Sequence, residues 1–174
     1  MKSNAEKWLI LFFISSNAAF AAVPENGVFE EVDGVVAVEA EHYFKQELDS
    51  VRSWHLTTSA HVPVISPDGD PAHLADASGG AYLESLPDSH RSHGDPLKQG
   101  ENFFPEPGLA GVLYYNIHIS TPGRYYVWAR IYSTNTEDNG MHVGIDGEWP
   151  ESGQRLQWTK KDSWVWGSKQ RTEQ

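Results

Sequence analysis

From Val28 onward the chain consists of short runs of aromatic and β-branched residues closed by Gly, Pro, Asp or Asn, and none sustains a helical period. VFEEV and VVAVEAE flank Asp33-Gly34, a two-residue hairpin signal. AYLESL follows Ser78-Gly79-Gly80. GVLYYNIHIS and RYYVWARIYS are joined by Thr121-Pro122-Gly123, and MHVGIDG, RLQWT and WVWGS continue the series. Regularly spaced strands without helices predict an all-β fold, an antiparallel β-sandwich of the jelly-roll kind. Ser66–His73 and Pro87–Gly108 read as loops, and one as long as the second has functional or packing work in a compact domain.

The 174 residues fit one domain behind an export signal. MKSNAEK carries Lys2 and Lys7, WLILFFI is apolar, and Ala19-Phe20-Ala21 fits the small-x-small cleavage rule. The expected organisation is a signal peptide over 1–21, a short linker over 22–27 and a single β-domain over 28–174. The apolar run is short for a membrane span, so a secreted, periplasmic or cell-surface protein is expected. A net charge of -11 argues against nucleic acid and anionic lipid as partners. It also counts mildly against a strongly sulfated or uronate-rich polymer, although a local pocket can defy it. There is no cysteine, so disulfides and thiol chemistry are excluded.

The stretch VVAVEAEHYF, residues 35–44, reads as a strand that sends Glu39 and Glu41 to the same side, about 6.6–7 Å apart. Like charges so placed suit a hard cation such as calcium, which takes six to eight oxygen ligands. A solvated acidic face and a catalytic pair are the alternatives. Against catalysis, two side chains pointing the same way from one strand do not readily flank a sugar ring.

Six of the seven tryptophans lie beyond residue 21. Trp149, Trp158, Trp164 and Trp166 gather in the last third, where indole rings can fill a core or stack on the C–H face of a sugar. Trp128, in mid-strand, is assigned to the core. His90-Arg91-Ser92-His93 reads as an exposed turn rather than a zinc site. No nucleophile elbow, phosphate-binding loop, zinc-protease helix or dinucleotide fingerprint is present.

VEAEHY (38–43), SGGAYLES (78–85), YYNIHISTPGRYYVWARIYS (114–133) and MHVGIDGEWP (141–150) occur in an order that resembles the family 6 and family 35 carbohydrate-binding modules. The resemblance implies a galactose-binding-like β-sandwich that binds a glycan without cleaving it. It further implies a structural calcium held by Glu39 and Glu41 with an acidic residue of the last strand. Tyr82 matches the family's aromatic position after the glycine-rich lead, and Trp164-Val165-Trp166 is similar to its late tryptophan pair. Tyr82, Trp149, Trp164 and Trp166 are therefore the expected sugar-binding residues of a monomeric module. The family's closing strands have no counterpart after WVWGS, so a domain lacking its last strands is expected, as the N-terminal part of a polysaccharide-active protein. The rival functions are a glycoside hydrolase or lyase using Glu39, Glu41 or Glu84, and an adhesion sandwich that contacts a protein.

Overall fold

The computed structural model describes residues 27–171. The expected signal peptide lies outside the described residues. Within them the chain is all-β: β1 (Val28–Glu30), β2 (Lys45–Glu47), β3 (Ser53–Thr58), β4 (Ala81–Leu86), β5 (Val112–Tyr114), β6 (Asn116–His118), β7 (Ala129–Ile131), β8 (Gly140–Met141), β9 (Leu156–Gln157) and β10 (Val165–Gly167). Three-residue 3-10 turns occupy Ala40–His42, Ser78–Gly80 and Glu151–Gly153. No helix among the described residues is long and apolar enough to cross a membrane.

The strands pair two by two. β1 runs parallel to β6, whereas β2–β5, β3–β4, β7–β10 and β8–β9 are antiparallel. The core holds Phe29, Val36, Leu86, Val112, Leu156 and Trp158. Trp158, 3% exposed, is fixed at both ends. Its indole N–H donates to the Ala129 carbonyl, and its backbone is bonded to Asn139. A side chain at Gly167 would collide with this indole, so the tight approach of β10 depends on a glycine there.

The Asp-Gly signals form as expected. Asp33 and Gly34 both take positive φ between the bridged residues Val32 and Val35, as a two-residue hairpin turn demands. Asp146 and Gly147 repeat the device between Ile145 and Glu148.

Three expectations about strands are corrected. Residues 35–44 are not a strand, because their backbone groups find local and side-chain partners. His42 N–H donates to the Glu39 carbonyl, closing the 3-10 turn, and the Tyr115 hydroxyl donates to the carbonyl of Ala40. GVLYYNIHIS and RYYVWARIYS do not pair with each other. The first is divided into β5 and β6, which join β2 and β1, and the second contributes β7 to β10. Finally, SWHLTT and KQE, passed over in the sequence, form β3 and β2.

Candidate functional site

β3 and β4 make the longest ladder in the described residues, six residues on each side. Alternation puts Tyr82, Glu84 and Leu86 of β4 on one face, opposite Thr57, His55 and Ser53 of β3. Leu86 and Thr57 are fully buried, so this face points inward. Thr57 spends its hydroxyl on Glu84, donating to Oε2 at 3.0 Å. Tyr82 and Glu84 thereby point towards the rest of the molecule.

They meet the loop that follows Ser66. Asp88 N–H donates to the Pro67 carbonyl at 2.7 Å, fastening the loop to the end of β4. His73 then makes four separate connections. Its Nε2–H donates to Asp70 Oδ2 at 2.8 Å, and its backbone N–H donates to the Tyr82 hydroxyl at 3.1 Å. Its carbonyl accepts the Trp164 indole N–H at 3.1 Å, and its ring stacks on Tyr132 with centroids 3.8 Å apart. One side chain and its backbone thus tie the loop to β4, β7 and β10. Asp68, Asp70 and Glu84 come together as a result, each offering a carboxylate oxygen within 4.8 Å of the others.

The β7–β10 pair supplies the aromatic wall. Trp166 lies opposite Arg130 in register, and one step along the same face Trp164 approaches Tyr132 at 5.7 Å between centroids. Tyr82 meets the Trp164 ring edge-to-face at 5.4 Å. Arg130 lies over the same ring, 5.5 Å from its centroid, a cation–π geometry. Trp164 is therefore engaged on several sides, while Trp166 is 37% exposed.

Burial pushes the Glu84 carboxyl above its usual range, and Asp68 and Asp70 push it further against the opposing Thr57 hydrogen bond. The folded protein thus holds this proton more tightly than the unfolded chain does. The resulting contribution to stability is full at low pH and is lost as pH rises from 4.5 through the raised folded value. Glu84→Gln is accordingly expected to melt at a higher temperature than the unmodified chain at pH 7, with the gap narrowing by pH 4. Thermal melts at the two pH values check this, and an equal gap at both would show that Glu84 ionises without penalty.

The other expected site residues lie elsewhere. Trp149 packs on Gly108, where a β-carbon would collide with its ring, and against Gly144, where a β-carbon would come within 3.3 Å of it. Trp128, assigned to the core, is partly buried with its Nε1 enclosed and unpartnered. His90 and His93 both face Glu137, at 3.7 and 3.0 Å.

Glu39 immediately precedes the first 3-10 turn and Glu41 lies within it. Ser78 Oγ donates to Glu39 Oε1 at 2.7 Å, and burial followed by the charge of Glu39 raises the Glu41 carboxyl. This crowding is what a cation would relieve. No third carboxylate or histidine joins the pair among the described residues, so it fills at most part of a calcium shell.

Sequence reasoning missed His73, Tyr132, Asp68 and Asp70 as partners of Tyr82 and Trp164. The Pro-Asp-Gly-Asp-Pro run announced a loop, but nothing local says where a loop docks.

The chain is 50% identical over 178 residues to a protein of Formosa agariphila described as "Uncharacterized protein P23", an alignment that covers 98% of this chain and 43% of that protein. The chain thus spans less than half the length of the relative it matches. No protein-family profile matches the chain, and no solved structure matches it.

Proposed function

We propose that this chain is an exported, non-catalytic carbohydrate-binding module, a β-sandwich of the galactose-binding-like kind, within a polysaccharide-active protein. The observation that carries the reading is the β7–β10 face. There an exposed Trp166 continues a wall of Trp164, Tyr132 and Tyr82 that ends in three carboxylates. Indoles stack on the C–H faces of pyranose rings at low entropic cost, and carboxylates accept hydrogen bonds from sugar hydroxyls. The structural calcium implied by the family resemblance belongs to the same proposal, with Glu39 and Glu41 among its ligands.

Trp166→Ala is expected to abolish retention of the chain by polysaccharide in affinity electrophoresis while leaving its melting transition cooperative. A glycan array, run with and without chelator, identifies the sugar beforehand. Unchanged retention by Trp166→Ala would place the sugar off this face.

The raised Glu84 carboxyl beside Asp68 and Asp70 favours a second reading, a hydrolase or lyase that uses Glu84 as its acid. The three carboxylates converge on one another instead of flanking a gap, which suits hydrogen bonding better than acid–base work across a ring. New reducing ends released from the retained polysaccharide, and lost in Glu84→Gln, would establish the enzyme instead.

A further inference from the structure

The His90-Arg91-Ser92-His93 turn is less open than its polar residues suggest, for the His90 side chain is only 13% exposed. Its ring makes no hydrogen bond with any described residue: Nδ1 is enclosed without a partner, and Nε2 stands 3.7 Å from Glu137 Oε2. An enclosed imidazole with neither nitrogen bonded is costly, because its polar atoms have given up water without a replacement. His93 faces the same carboxylate, with its Nε2 3.0 Å from Glu137 Oε1. Two imidazoles of one turn thus converge on a single carboxylate from a distant segment.

Both segments are held by bonds that do not involve these rings. Asp95 Oδ2 accepts the N–H groups of Arg91 and Ser92 and the Ser92 hydroxyl, at 3.0, 2.7 and 3.0 Å, which closes the turn carrying His93. The Arg91 carbonyl accepts the Thr136 and Glu137 N–H groups at 3.1 and 3.0 Å, which brings Glu137 beside the histidines. Asp138 then gathers Ser133, Thr134 and Asn135 into the turn that carries Glu137. His93 Nδ1 lies 3.0 Å from Thr136 Oγ1. When Nδ1–H donates there, Nε2 keeps its lone pair, the form that ligates a metal.

We propose that His90, His93 and Glu137 bind a transition-metal ion of the zinc class, which staples the 87–108 loop to the turn before β8. The site is independent of the carbohydrate reading. Two imidazoles and a carboxylate suit zinc, copper or nickel, whereas calcium takes oxygen ligands. Bonds of about 2.0 to 2.2 Å at tetrahedral angles place neighbouring ligand atoms about 3.3 to 3.6 Å apart. The nitrogen–oxygen separations here, 3.0 and 3.7 Å, bracket that range. The set is more open than Asp68, Asp70 and Glu84, whose oxygens all lie within 4.8 Å of one another. Drawing it together falls to His93, whose side chain is 77% exposed and can turn without disturbing the core. A net charge of -11 favours the approach of a cation.

The test is calorimetric titration of zinc ion into the metal-free protein, alongside His93→Ala and Glu137→Gln, with Asp70→Asn and Glu39→Gln as controls for the two acidic groups. The unmodified protein is expected to bind zinc in the presence of excess calcium. His93→Ala and Glu137→Gln are each expected to weaken that binding about tenfold or more, and the two controls to leave it unchanged. His93 is exposed, so its alanine variant removes a ligand without a packing defect, and coincident melting curves in chelator check this. Zinc is also expected to shift the imidazole proton resonances of His90 and His93 in the NMR spectrum and to leave those of His118 in place, a measurement that needs no variant to fold. No zinc binding overturns the proposal, as does binding kept in full by both His93→Ala and Glu137→Gln. Loss of zinc in Asp70→Asn alone overturns it too and places the ion among Asp68, Asp70 and Glu84.

Discussion

Replacing Trp164 with alanine is expected to cost about 3 to 5 kcal/mol of stability, the range for removing a large aromatic from a packed site. Trp166→Ala is expected to cost far less, although both rings lie on the same strand pair. The difference is one of exposure, Trp166 being 37% exposed and Trp164 partly buried. The Trp164 indole donates to the His73 carbonyl, meets Tyr82 and Tyr132 edge-to-face and carries the Arg130 guanidinium. Its removal leaves a void among three side chains and strips the loop around His73 of one of its clips. Both stability and sugar retention should fall together, whereas Trp166→Ala should separate them. Denaturant titration of the two variants checks this. A Trp164→Ala protein that unfolds at the same midpoint as the unmodified chain would show the ring to be a platform rather than a support.

Calcium at a hundredfold excess over its dissociation constant is expected to stabilise the protein by about 2.7 kcal/mol, because a ligand that binds only the native state shifts the equilibrium by mass action. Glu39→Gln and Glu41→Gln are each expected to reduce that gain. Burial and Glu39 already raise the Glu41 carboxyl, so a cation at the pair removes a repulsion present in the fold. Melting curves in calcium and in chelator at matched ionic strength provide the measurement, and coincident curves dispose of the metal. A gain kept by Glu39→Gln but lost by Asp70→Asn would move the ion to Asp68, Asp70 and Glu84, whose oxygens lie within 4.8 Å of one another.

Much of the local backbone was legible in the sequence. Asp33-Gly34 and Asp146-Gly147 form their turns because a two-residue hairpin needs positive φ at both positions, a demand these residue types meet with little strain. AYLESL is β4 over its full length, its alternation matching an inward face of Tyr82, Glu84 and Leu86. The all-β character followed from the same signals.

Pairing and exposure were decided by tertiary structure. RYYVWARIYS has a strong strand pattern, yet β7 covers Ala129–Ile131. Alternation reports the conformation that residues prefer, whereas a ladder also needs a neighbour whose donors and acceptors are in register. VVAVEAEHYF lost its strand to the hydroxyl of Tyr115, 75 residues away from Ala40, and to the turn closed by His42. Trp164 and Trp166, alike in sequence, differ because the loop carrying His73 docks on the first, while the second remains 37% exposed. Residue type and spacing fixed that aromatic, acidic and basic groups would be available in this chain. Only long-range packing could decide which of them meet, since burial and electrostatic partners depend on segments that the chain brings together from far apart.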